Sequence, residues 1–167
     1  MAKLYLRDQS TAALADHPHG LLAVCLAATT GWALRAADGL ITTGIINLAQ
    51  AEPQADTHCD LKLANWLRDT DRLAGPIAAI SLVRLPPFLA SAMHPACANT
   101  LQAWTAQRGI SFDLVSYAEL LSDGSEVADP AASVKPMNGR GFSPGCHSEA
   151  LAIIALERLI TSREGTV

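Results

Sequence analysis

The sequence predicts an α/β fold in which helices flank a mixed β-sheet. Residues 21–26 are an unbroken apolar run, and residues 77–83 are a second apolar run in which Ser81 is the one hydroxyl residue; both are typical of central strands buried on both faces. Between them, apolar residues recur at helical spacing. A right-handed crossover through that helix places the two runs side by side as parallel strands.

After the first run, the chain turns twice and returns on itself. Residues 27–30 are small and form a tight turn, and Ala37-Asp38-Gly39 is a hairpin signal. Residues 40–48 return with many β-branched side chains. The first three strands are therefore predicted to form an antiparallel meander.

The other elements are predicted from caps and breakers. Thr57 is typical of a helix N-cap, and Gly75-Pro76 ends the same helix. The elements that follow are a second helix from Pro95 to Gly109, a strand at residues 110–115, a loop at residues 122–145 and a helix at residues 147–162. The apolar positions of the last helix are Leu151, Ala152, Ala155, Leu156 and Leu159.

Composition indicates a single folded domain. The chain has 167 residues, of which 50% are hydrophobic and 17% charged, so a wholly disordered protein is excluded. No apolar run approaches the roughly 20 residues that span a bilayer. The net charge of −4 gives no overall attraction to nucleic acid, so binding to DNA or RNA would need a local basic patch.

The cysteines and the N-terminus favour a cytoplasmic protein. The four cysteines lack CxxC spacing, and residues 1–20 lack the apolar core of a secretory signal. Reduced thiols are the expectation in that compartment.

Three motifs carry a resemblance to a known family. Thr30-Gly31-Trp32-Ala33-Leu34 resembles the RuvC-type Holliday-junction resolvases, especially their short phage-borne relatives, in which a first strand ending in Asp is followed by a small-residue turn and Gly-Trp. Ser148-Glu149-Ala150-Leu151-Ala152 resembles the family segment Asn-Glu-Ala-Asp-Ala. Val134-Lys135 with Gly139-Arg140-Gly141 is a weaker third match.

The resemblance implies a ribonuclease H-like fold. It implies a five-stranded sheet in the order 3-2-1-4-5, with the predicted meander as its first three strands. Residues 21–163 would form this domain, and residues 1–20, with a short strand at 3–6, would be an N-terminal appendage. Because the resolvases are homodimers, the resemblance also implies a homodimer, encoded by a phage or mobile element.

The family cleaves phosphodiesters with two Mg²⁺ ions held by carboxylates, and those carboxylates are missing here. The matching positions are Cys25, Ile80 or Ser81, Ser148 or His147, and Leu151. Glu149 is the only matched acid, and first-turn helix charge is its simplest role. We therefore expect no catalytic residue and no cofactor. Mg²⁺ returns only if the chain is an active endonuclease with rearranged ligands.

Two other sites stay open. Cys25, Cys146 and His147 would hold Zn²⁺ if they converge, although a small buried cysteine and a helix cap explain them more simply. Cys59 and Cys97, each near a histidine, show no ligand spacing.

Basic residues give a nucleic-acid hypothesis. Lys135, Arg140 and Arg84, with Arg108, would form a phosphate-facing patch, and ordinary solvated charge is the alternative. Trp32 is expected to pack in the core rather than stack on a base.

The function predicted from these observations is non-enzymatic. The chain would be a catalytically degenerate binding or assembly module, whose partner is a protein or a structured nucleic acid. The sequence pI of about 5.6 and the mean hydropathy of +0.21 favour a protein partner.

Overall fold

The computed structural model of this chain describes residues 3–4, 19–27, 29–48, 59–87, 89–90, 94–122 and 144–164. Its elements in chain order are β1 (Lys3–Leu4), β2 (Gly20–Cys25), β3 (Thr30–Arg35), β4 (Ile41–Ile46), α1 (Cys59–Ala74), β5 (Ile77–Arg84), α2 (His94–Arg108), β6 (Ser111–Ser116), α3 (Tyr117–Ser122) and α4 (Pro144–Glu164).

The sheet has the order β1-β4-β3-β2-β5-β6. β2, β3 and β4 are the predicted antiparallel meander. β5 pairs in parallel with β2, so that Leu21 lies opposite Ala79 and Cys25 opposite Val83. β6 pairs in parallel with β5. The two apolar runs are thus neighbouring parallel strands, and the five predicted strands have the predicted order.

Three details differ from the expectation. β1, which lies within the strand expected at residues 3–6, joins the sheet as a sixth strand at its edge, where Lys3 lies opposite Thr43. α3 was not predicted, because a six-residue segment shows no helical period. α4 begins at Pro144 rather than at residue 147, since proline is compatible with the first turn of a helix. Thr57 and residues 123–143 lie outside the described residues.

The core forms one layer on each face of the sheet. α4 buries the five apolar positions predicted for it, together with Ala23, Cys25, Ala79 and Val83 of the sheet. α1 and α2 cover the other face, where Leu63, Leu67 and Leu101 pack on Leu22 and Ile80. Because successive strand residues point to opposite faces, the unbroken apolar runs supply both layers at once.

Polar contacts tie both ends of α4 to the meander. Glu149 Oε1 accepts a hydrogen bond of 2.7 Å from Thr43 Oγ1, and Arg35 forms a 2.8 Å ion pair with Glu164. α4 therefore runs across β3 from the edge near Cys25 to the edge near Arg35. No helix in the described parts of the chain is long and apolar enough to cross a membrane.

Candidate functional site

Cys25 is the last residue of β2 and lies between two neighbours in the sheet. Gly31 of β3 is its partner on one side and Val83 of β5 on the other. The side chain is 0% exposed, and burial raises the pKa of its thiol to about 12. At neutral pH Cys25 is therefore an uncharged, solvent-inaccessible thiol, which suits neither a hard metal ion nor a nucleophile.

Ser81, and not Ile80, shares the sheet face of Cys25. Ile80 packs in the layer under α1 and α2, whereas Ala79 and Val83 pack under α4. Alternation along β5 therefore turns Ser81 toward α4. Its hydroxyl is fully buried and has no hydrogen-bond partner among the described residues. The fourth-strand position is thus filled by a small neutral group inside the core.

The other two positions that match metal ligands of the family lie on α4. Ser148 is buried, and its Oγ donates a hydrogen bond of 2.7 Å to the carbonyl oxygen of Thr29. Leu151 is 1% exposed and packs in the same apolar layer as Cys25. The Ser148 hydroxyl thus holds the start of α4 against the turn after β2. The Leu151 side chain fills the apolar layer between α4 and the sheet.

Gly31 explains how closely α4 approaches the sheet. A Cβ atom built on Gly31 would overlap the backbone of Ser148 and Glu149. The helix backbone therefore lies directly on β3 beside Cys25, and only glycine leaves room for it. This contact gives the Gly-Trp motif a packing role.

Glu149 has a different role from the one expected. Since α4 begins at Pro144, Glu149 lies in its second turn, so the first-turn expectation is wrong. The Glu149 carboxylate instead accepts the hydrogen bond from Thr43. This contact could not be predicted from the sequence, because Thr43 and Glu149 belong to separate elements distant along the chain.

The structure describes the side chains of only two of the three candidate zinc ligands, Cys25 and His147. The ring centroid of His147 lies 6.3 Å from that of Tyr117, at an interplanar angle of 54°. The Cys146 side chain lies outside the described residues. Among the residues that are described, no group of three His, Cys, Asp or Glu side chains is placed to hold a metal ion. A zinc site at Cys25, Cys146 and His147 stays a prediction.

The structure describes two of the four basic residues of the predicted patch, Arg84 and Arg108. Arg84 is exposed at the carboxyl end of β5, at the same sheet edge as Cys25. Arg108 ends α2 just before β6 begins, and its guanidinium lies 4.2 Å from the centroid of the Trp104 ring. Because β5 and β6 are parallel, Arg108 lies near the amino ends of these strands, whereas Cys25 and Arg84 lie at the carboxyl ends. The inclusion of Arg108 in the patch was therefore wrong. Lys135 and Arg140 lie outside the described residues.

Trp32 is half-buried and packs against the apolar layer under α1 and α2, as expected for a packing role. Its ring centroid lies 5.6 Å from that of Trp66 on α1. Gly44 lies opposite Trp32 in the sheet, and a Cβ atom there would come within 2.9 Å of the indole. The aromatic ring thus fills the space that the missing side chain leaves.

The donor set at the sheet edge does not fit magnesium. A neutral thiol, two buried hydroxyls and a leucine supply no charge, whereas Mg²⁺ is held by carboxylate and water oxygens. No catalytic step through a metal ion follows from these residues.

Comparisons with known proteins bear on the fold. Neither a family model nor a curated protein matches this chain. The structure of Thermus thermophilus RuvC in complex with a Holliday junction substrate matches with a TM-score of 0.57 and 16% identity, over 89% of this chain and 98% of that one. A second T. thermophilus RuvC structure matches with a TM-score of 0.59 and 13% identity, over 88% and 97% of the two chains. The chain is therefore similar to RuvC over nearly its whole length, and it has the same ribonuclease H-like fold.

Proposed function

We propose that this chain is a catalytically degenerate RuvC-like protein that acts as a non-enzymatic binding or assembly module. The observation that carries the proposal is burial. The exposed fractions of the residues at the family's metal-ligand positions, in chain order, are 0% for Cys25, 0% for Ser81, 1% for Ser148 and 1% for Leu151. A nuclease site must admit a hydrated metal ion and a phosphodiester, so the burial of all four positions supports a non-enzymatic role.

Restoring carboxylates at these buried positions is not expected to restore a metal site. An unpaired carboxylate at a fully buried position carries a desolvation cost of several kcal/mol, which the protein avoids by keeping the group neutral. Cys25→Asp and Leu151→Asp would therefore give protonated or disordered side chains instead of a metal site. The position of Ser81 would still lack an acid.

The second candidate is an active structure-specific endonuclease with rearranged ligands. It is favoured by the carboxylate of Glu149, two residues after His147 near the start of α4, and by the RuvC structure that holds a Holliday junction substrate. Activity of this kind would depend on Mg²⁺ and on Glu149.

Cleavage of a four-way DNA junction with Mg²⁺ or Mn²⁺ separates the two candidates. We expect no product above that of a mock purification, both for the natural sequence and for Cys25→Asp/Leu151→Asp. Metal-dependent cleavage that Glu149→Ala abolishes, while the variant stays folded by circular dichroism, would establish the enzyme instead. Glu157→Ala, farther along the same helix, is the matched control.

The proposed partner is a protein, with a homodimer as the assembly unit. A net charge of −4 weakens any approach to DNA. Arg84 is an exposed cation at the carboxyl end of β5, the same end of the sheet as Cys25. Lys135 and Arg140 are the further cations that a nucleic-acid partner would use.

A further inference from the structure

Cys59 and Cys97 lie in contact, although they belong to different helices. Cys59 is the first residue of α1, and Cys97 lies in the first turn of α2. Their thiols share a hydrogen bond, and both side chains are buried, with exposed fractions of 1% and 2%. Sequence spacing gave no signal for this pair.

The fold explains why the two helices bring these residues together. α1 leads into β5 and α2 follows β5, so both helices begin at the carboxyl end of that strand and pack on the same face of the sheet. The thiols are held inside the apolar layer under α1 and α2, apart from Cys25, which belongs to the layer under α4.

We propose that Cys59 and Cys97 form a reversible disulfide by exchange with a low-molecular-weight disulfide such as oxidised glutathione. One thiolate attacks a glutathione sulfur, which breaks the S–S bond and releases one glutathione thiolate. The second cysteine then attacks the protein sulfur of this mixed disulfide and releases the other. The two protein protons pass to the two glutathione thiolates, so the protein is oxidised by two electrons and the glutathione disulfide is reduced.

In the closed fold these thiols are as inaccessible as Cys25, so the exchange needs the starts of α1 and α2 to open to solvent, and it is slow at neutral pH. The pKa of Cys97 is raised to about 12, chiefly by burial, then by the hydrogen bond and charge of Cys59 and by the charge of Asp60. The titratable groups that act on this thiol thus belong to α1. Since the thiolate is the attacking species, the rate should rise about tenfold per pH unit between pH 7 and 9.

The cross-link would tie α1 to α2 and stabilise the fold. It closes the chain from residue 59 to residue 97 and so removes conformations from the unfolded state. On the chain-entropy account, the Tm should rise on the order of 10 °C, and dithiothreitol should reverse the change.

The test oxidises the folded natural chain with oxidised glutathione, blocks remaining thiols in denaturant and maps the peptides by mass spectrometry. We expect a cross-linked peptide pair containing Cys59 and Cys97, free thiols at Cys25 and Cys146, and the reversible rise in Tm. Cys59→Ala and Cys97→Ala should each abolish the cross-link and the rise. Cys25→Ala, which is equally buried but lies under α4, should keep both.

Three results would overturn the proposal. They are glutathione adducts without a cross-link, a cross-link that involves Cys25 or Cys146, and a Cys59–Cys97 share of all cross-links no higher than in the urea-unfolded chain. Because the peptide map is made on the natural sequence, it decides the matter even if an alanine variant fails to fold.

Discussion

Ser81 carries a buried hydroxyl that has no hydrogen-bond partner among the described residues. Replacing it by alanine removes the cost of that unsatisfied group and leaves only a small void. We expect Ser81→Ala to be neutral or to stabilise the protein by up to about 1 kcal/mol in urea unfolding. Ser148→Ala is the matched control, since it removes the hydrogen bond to Thr29 and should destabilise by about 1 kcal/mol.

The same pair of variants can contradict this account. A loss of more than about 1 kcal/mol in Ser81→Ala would mean that the hydroxyl has a partner, such as a bound water or ion.

Cys25 predicts a pH dependence of stability. Its thiol pKa is raised from the ordinary 9.0 to about 12, so between these values the folded state keeps a proton that the unfolded chain has lost. The contribution of the Cys25 thiol to the free energy of unfolding is fully present below pH 9. It is lost as the pH rises toward 12, at about 1.4 kcal/mol per pH unit. Urea unfolding of Cys25→Ala across this range should show a shallower fall by that amount. An unchanged slope would mean that Cys25 is solvated in the folded state.

At the residue scale, the sequence could predict the position of Cys25 but not the choice between Ile80 and Ser81. The motif that includes Gly31 and Trp32 locates the end of the first strand. Apart from Ser81, residues 77–83 of β5 are apolar on both faces and show no polar alternation, so only the position of α4 tells which residues face it.

Gly31 and α4 give the prediction at the scale of the element. Gly31→Ala places a Cβ atom into the backbone of α4, which cannot move aside as a flexible side chain would. We expect a loss of about 3 kcal/mol or more in urea unfolding, together with faster alkylation of Cys25 as the helix lifts.

Gly109→Ala is the control for Gly31→Ala. Gly109 has a φ of +64° but open space around it, so its substitution should cost only about 1 kcal/mol through backbone conformation. Equal losses in the two variants would contradict the close approach of α4 to β3.

The elements were largely predictable because the apolar patterns are strong. The five predicted core positions of α4 are all buried, as are Leu63 and Leu67 of α1. The start of α4 and the presence of α3 were not predictable, since each depends on local contacts over a few residues. Examples are the Ser116 and Glu119 hydrogen bonds at the start of α3.

Binding to DNA is a question for the whole molecule. If the sheet edge near Cys25 holds a phosphate backbone, junction affinity should fall with salt by a slope of about −0.9 per neutralised phosphate. Lys135→Ala/Arg140→Ala should then weaken binding to all sequences alike and flatten the slope by roughly two units. Arg108→Ala, at the opposite edge, should change neither.

Because we propose a protein partner, we expect the Kd for a DNA junction to be no tighter than about 10 μM at physiological salt. Tight, salt-sensitive binding that is lost in Lys135→Ala/Arg140→Ala would contradict this expectation and favour a nucleic-acid partner.

For the molecule as a whole, the strand order could be predicted from the sequence, but the depth of burial at Cys25, Ser81 and Leu151 could not. That these positions carry no carboxylate is visible in the sequence. Their burial is not, because it depends on Gly31 admitting the α4 backbone and on Leu151 filling the layer below.

The central claim is that the edge of the sheet near Cys25 is closed to metal ions. Crystals soaked in Mn²⁺ test it most directly, through anomalous difference density between Cys25 and the start of α4. We predict no density there, with Cys25, Ser81 and Leu151 in their buried positions. A manganese peak within coordination distance of Glu149 or Ser81 would contradict the claim.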